Sequence, residues 1–181
     1  QHGYSLILTD IPIDNPNEES RLFSHLNSGL VDGAIITAPV KSQLFENLLA
    51  DPPFLPMIQI RNPRGSTAAS VSIDQYHGSQ LATQHLLDLG HRAIAEICGP
   101  LNYHEAHTRH TAFIETLQTT GLTPAEVVEA TEWMPHEGYV AAKQLLEKGN
   151  PFTGLIIAND YLALGAIMAL REGGYSIPQD V

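Results

Sequence analysis

Six short β-like runs punctuate the chain, and most of them lead into a stretch with helical spacing. They are Tyr4–Thr9, Gly33–Thr37, Pro56–Ile60, Ala93–Cys98, Glu126–Ala130 and Gly154–Ala158. The uninterrupted apolar run Leu155–Ala158 suits a parallel strand buried on both faces. Between them, Leu22, Phe23, Leu26 and Leu30 recur at helical intervals, as do Leu81, His85, Leu86 and Leu89. Ile114 with Leu117, Val140 with Leu145, and Leu164, Ile167, Met168 and Leu170 repeat the pattern. Gly29, Gly90, Gly121, Gly149 and Gly173 stand where a left-handed helix cap is expected. Strand–helix alternation of this kind predicts an α/β fold, a parallel sheet with helices on both faces. The turn-rich segment Asn62–Thr67, followed by Val71-Ser72-Ile73-Asp74, predicts a boundary between lobes 1–73 and 74–181, with a crossover near Ile73.

Charge narrows the partners. The 181 residues carry nine basic and twenty acidic side chains, a formal net charge of −11. Both lobes share the excess, with no Lys/Arg cluster or basic stripe, so these residues by themselves are not expected to bind DNA. No apolar run approaches the roughly 20 residues that span a bilayer, and no membrane partner is expected. Cys98, the single cysteine, lies in an apolar run and reads as a buried reduced thiol, in keeping with a cytoplasmic setting. Gln1-His2-Gly3-Tyr4 enters the first strand-like run with no initiator Met, as a piece of a longer polypeptide would.

The chemistry concentrates at the ends of the later strands. Gly154–Ala158 stops at Asn159 and Asp160, which a parallel strand delivers to the sheet's carboxyl end, where such sheets bind ligands. An amide and a carboxylate there can hydrogen-bond a polyol. One of the two is also expected to cap the following helix. Arg109 lies ten residues after Gly99 in Gly99-Pro100-Leu101-Asn102-Tyr103-His104-Glu105-Ala106-His107-Thr108-Arg109, within a helix beginning near Glu105. Its guanidinium fork suits vicinal hydroxyls or a carboxylate; a surface ion pair is the alternative. Trp133, the only tryptophan, falls in a loop just past a strand. There it can stack on a sugar or flat heterocycle, or serve as a packing anchor. His104, His107 and His110 do not form the His-Glu-x-x-His pattern and no cysteine accompanies them, so no metal is expected. Serine-hydrolase elbows, phosphate-cradling loops and dinucleotide fingerprints are missing, so neither an enzyme nor a cofactor is expected.

Several phrases in register resemble the LacI/GalR family of bacterial transcriptional regulators. They are Val31-Asp32-Gly33-Ala34-Ile35-Ile36, Leu89-Gly90-His91-Arg92-Ala93-Ile94-Ala95 with Gly99-Pro100 and Arg109, and Glu132-Trp133 with Gly138-Tyr139. Ala158-Asn159-Asp160 through Gly165-Ala166, and Ile177-Pro178-Gln179-Asp180-Val181, complete the set. The resemblance spans almost the whole chain. It implies two Rossmann-like lobes of the periplasmic-binding-protein type, incomplete here, with a small effector held between them. By family position the effector contacts are Arg109, Asn159 and Trp133, with Tyr103 and Glu105 in the preceding loop and Asp160 as the cap or support of Asn159. Arg61 stands where relatives often have a hydroxyl-binding acid, and with Arg109 it points to a carboxylated or phosphorylated sugar.

The resemblance further implies a homodimer that reads operator DNA through an N-terminal helix-turn-helix. That element, its hinge helix, and the sensor's first strand and helix would lie ahead of Gln1, and a further strand beyond Val181. A chain with these boundaries is expected to leave sheet edges exposed. Two other classes compete. A transport-type sugar-binding protein of the same fold would carry a secretory signal upstream, and an α/β enzyme using Asp160 or a histidine would turn its ligand over.

Overall fold

Parallel pairing follows the alternation closely in the computed structural model, which describes residues 3, 5–8, 24–37, 55–60, 69–149 and 151–181. The chain divides into two units, Gln1–Ile73 and Asp74–Val181. In the first, β1 (Ala34–Ile36), β2 (Met57–Ile60) and β3 (Ser70–Val71) form a parallel sheet in the order β1-β2-β3. Residues 24–27 are helical, and Leu26 packs against Val31, Ala34, Ile36 and Leu55. The two-residue strand β3 falls in the segment read from sequence as a lead into a helix.

The run Tyr4–Thr9 departs from expectation. Its described residues, 5–8, join no ladder, and Leu6, Ile7 and Leu8 are 65–90% exposed. A parallel strand exists only through its neighbours. None of the described strands pairs with this segment. Leu22, Phe23, Arg61 and the turn-rich Asn62–Thr67 lie outside the described residues.

The second unit alternates regularly: α1 (Gln75–Asp88), β4 (Ile94–Cys98), α2 (His104–Thr119), β5 (Glu126–Glu129), α3 (Pro135–Lys148), β6 (Gly154–Ile157) and α4 (Asp160–Glu172). Its sheet order is β5-β4-β6, all parallel, which puts β4 in the centre with every residue buried. Ala95 and Ile97 face Ala141, Ala142, Leu145, Ala166, Ala169 and Leu170 of α3 and α4. Ile94 faces the other way, onto Leu87, Phe113 and Leu117 of α1 and α2. Two helices therefore cover each face, the arrangement the sequence predicts.

Helix ends follow local chemistry. Asp74 caps α1 by accepting from the His77 N–H at 2.9 Å. Pro135 opens α3 at a position where its missing N–H costs nothing, and Gly149 closes it at φ 70°. The left-handed cap expected at Gly173 is one residue later: Gly173 is helical at φ −75°, and Gly174 takes φ 87°. In α1 the buried face is Ser79, Thr83 and Leu87, whereas Leu81 and Leu89 are exposed. The leucine spacing read there traces the wrong side, because small hydroxyl residues let α1 lie close to α2. Thr83 caps its own backbone through Ser79 O at 2.9 Å, and Ser79 Oγ donates to Arg109 O on α2. No helix among the described residues is long and apolar enough to cross a membrane.

Candidate functional site

Parallel pairing brings the carboxyl ends of β4, β5 and β6 to one edge of the second sheet. The connections leaving that edge carry the residues singled out by sequence. Trp133 follows β5, and Tyr103 precedes α2 as its N-terminal flanking residue. The Arg109 guanidinium carbon lies 5.4 Å from the Trp133 ring centroid, a cation on an aromatic face. Tyr103 meets the same ring edge-on, with centroids 5.9 Å apart and planes at 74°. Tyr103 is exposed and Trp133 half-buried, so both present ring surface. The indole rests directly over Gly99, where any side chain would run into its six-membered ring.

Neighbouring polar contacts hold this group in place. Arg109 Nη1 donates to Gln75 Oε1 at 2.5 Å, and Ser79 Oγ donates to the Arg109 carbonyl at 2.7 Å, both from α1. The Leu101 N–H donates to Glu129 Oε1 at 2.8 Å, tying the loop after β4 to the end of β5. On the other side, the Thr131 N–H and hydroxyl donate to Glu137 Oε2 at 3.0 and 2.5 Å, closing the loop that bears Trp133. Those hydrogen bonds from Thr131 hold the Glu137 carboxyl below the usual glutamate range.

Asn159 and Asp160 stand at the end of β6, on the same edge. The cap expected at Asp160 is Asn159 instead. Asn159 is the cap of α4: extended at φ −156°, it accepts the Leu162 N–H on Oδ1 at 2.8 Å. Asp160 is already helical and exposed in the first turn, where its charge complements the helix dipole. The residue leaving a strand in extended geometry is the one placed to cap, and that residue is Asn159. Glu105 is half-buried in the first turn of α2. Arg109 and Tyr103 thus both meet Trp133, whereas Asn159, Asp160 and Glu105 share only the sheet edge or helix end. Arg61 lies outside the described residues.

The histidines separate. His104 and His107 sit beside Thr108 and Thr111 of their own helix, at 3.5 and 3.4 Å. His110 turns inward, its Nδ1 2.6 Å from Glu96 Oε2. Contrary to expectation a cysteine does accompany it, since Cys98 belongs to the same buried cluster. Burial raises the Glu96 carboxyl above its usual range, against the opposing pull of His110 and Arg109. Burial, with Glu96 and Glu129 nearby, pushes the Cys98 thiol up to about 12. Sequence reading missed Gln75, Glu129 and Glu137, whose partners come from other elements. It also passed over Glu96, although a glutamate inside Ala93–Cys98 is a visible signal.

Residues 83–181 match the family model described as a periplasmic binding protein-like domain. The chain belongs to the LacI/GalR family. It is 32% identical over 183 residues to the HTH-type transcriptional repressor PurR of Haemophilus influenzae (strain PittEE), a match that takes in 100% of this chain and 54% of that protein. Among solved structures, it resembles the lactose repressor bound to the anti-inducer ONPF in the induced state. That likeness has a TM-score of 0.86 at 26% identity and covers 99% of this chain and 66% of the other. A sugar-binding transcriptional regulator of the LacI family from Escherichia coli, complexed with phosphate, gives a TM-score of 0.79 at 26% identity over 91% of this chain and 60% of that one. This LacI/GalR chain therefore spans about half the length of the curated relatives it matches. Its two parallel sheets flanked by helices are those of the family's Rossmann-like fold, incomplete relative to the full domain.

Proposed function

We propose that this chain is the effector-sensing part of a bacterial DNA-binding transcriptional regulator, acting in the cytoplasm as a homodimer. A small molecule, a sugar or sugar derivative, binds at the carboxyl edge of the second sheet. Its apolar face packs on Trp133 and Tyr103, and the Arg109 fork engages its hydroxyls, carboxylate or phosphate. The observation that carries this reading is the seating of Arg109 on the face of Trp133 at that edge. Asn159 supplies its amide N–H donors, since its oxygen already serves as cap. Glu105 and Asp160 complete the proposed contacts on this edge.

Effector binding favours one of two lobe arrangements, and the difference in affinity biases operator binding by the paired N-terminal domains. Two-fold symmetry of operator half-sites goes with a dimer. The names of the relatives, repressors and regulators, favour this over a transport-type binding protein. Binding is reversible, without turnover. Calorimetric titration of neutral hexoses against their acid and phosphate forms tests the ligand class. Tight binding of the anionic forms is expected to be lost in Arg109→Ala. Tight binding of neutral sugars only would overturn the anionic assignment, and catalytic consumption of the ligand would overturn the sensor reading.

A further inference from the structure

The central strand breaks its own apolar pattern at Glu96, which is 2% exposed among Ile94, Ala95, Ile97 and Cys98. Side chains alternate along a strand, so Glu96 and Cys98 share the face of Ile94, under α1 and α2. A carboxylate taken this far from water costs several kcal/mol unless well compensated. His110 reaches it from α2 at 2.6 Å, and one donor atom each from Glu96, Cys98 and His110 lies within 4.8 Å of the other two. A carboxylate, a thiol and an imidazole thus converge from two elements in the layer between sheet and helix. A leucine at 96 would have filled the same layer without penalty.

We propose that Glu96, Cys98 and His110 form a binding site for one divalent transition-metal ion of the zinc class, lodged between β4 and α2. The mixed O, S and N donors select a borderline ion such as zinc, cobalt or copper over magnesium or calcium, which prefer oxygen alone. Bonds of about 2.0–2.3 Å in tetrahedral geometry separate ligand atoms by roughly 3.3–3.8 Å. That fits inside the 4.8 Å envelope of the cluster. The His110–Glu96 contact, now 2.6 Å, opens by about 0.7 Å or a little more to admit the ion. On loading, the ion bonds the Cys98 sulfur, a Glu96 oxygen and a His110 ring nitrogen. The thiol proton leaves to solvent, and the ring nitrogen that bonds the ion does so unprotonated while the other keeps its N–H. Three protein ligands leave a fourth position for water, and His110, partly exposed, marks the way in. Because Arg109 is the next residue on α2, an ion gripping His110 would also stiffen the turn that presents Arg109 to the sheet edge.

The test uses the full chain, stripped of metal and titrated with cobalt(II) by absorbance and zinc(II) by calorimetry. Saturation at one ion per chain is expected, with a thiolate-to-cobalt charge-transfer band and a higher melting temperature in zinc. Cys98→Ser, close to isosteric, abolishes the band; Glu96→Gln and His110→Gln each weaken binding at least about tenfold. The band in the unaltered chain decides the matter even if a variant fails to fold. Absence of saturable binding, binding without the band, or wild-type affinity in a folded Cys98→Ser variant would overturn the site. Binding confined to the exposed histidines gives no thiolate band and overturns it equally.

Discussion

At Gly99 a single methyl group would collide with the indole of Trp133, which is why the ring can come so close to the end of β4. Gly99→Ala is expected to push the indole off the edge, red-shift the fluorescence of the only tryptophan and destabilise the chain by about 1–3 kcal/mol. Urea melts read by circular dichroism check the second effect and emission spectra the first. Trp133 also reports on Glu137, six positions from its partner Thr131. The Glu137 carboxyl titrates below its unfolded value, so the contribution of this contact is complete above that value and is lost as pH falls through the folded one. Emission from Trp133 is expected to change only below the ordinary glutamate range, and Glu137→Gln to remove that step. A transition near neutral pH would contradict the assignment. Arg109→Lys keeps the charge but loses the fork, and is expected to weaken anionic effector binding by about tenfold or more in calorimetry. Trp133 was legible as a loop residue four positions past the end of β5, and Arg109 as a helix residue ten positions after Gly99. Gln75 and Glu129 were not, since nothing local to either residue announces a partner on another element.

Helices α3 and α4 approach each other through two glycines. A side chain on Gly138 would strike the Leu162 backbone, and one on Gly165 would strike the backbone of Pro135 and Tyr139. Backbone cannot move aside as a flexible side chain can. Gly138→Ala and Gly165→Ala are each expected to cost at least about 2 kcal/mol, measured by thermal melting, and to do so without touching Arg109 or Trp133. Strands β4 and β6 were plain in the sequence because a largely apolar run, interrupted in β4 only by Glu96, is a local signal. Those whose existence depends on a neighbour were not: β3 is two residues long, and residues 5–8 are apolar yet unpaired. The face of α1 misled for a related reason. Of its buried positions only Leu87 is apolar; Ser79 and Thr83 serve close approach to α2 rather than hydrophobicity.

Burial differs sharply between the two units. Among the described residues of 1–73 only Leu26 and Gln59 are buried, while the second unit holds two apolar clusters built on a fully buried central strand. Amide hydrogen exchange is expected to be slowest in β4 and β6 and faster by orders of magnitude in β1–β3. Equal protection of the two sheets would contradict this. The order β5-β4-β6 has a consequence for synthesis. β4 gains β5 as soon as Glu126–Glu129 is made, but its other side waits for Gly154–Ile157. A nascent chain paused between them on the ribosome holds a central strand with one edge bare, the form of sheet most prone to pair with a stranger. Chaperone demand during translation should therefore peak over α3 and fall once β6 has emerged.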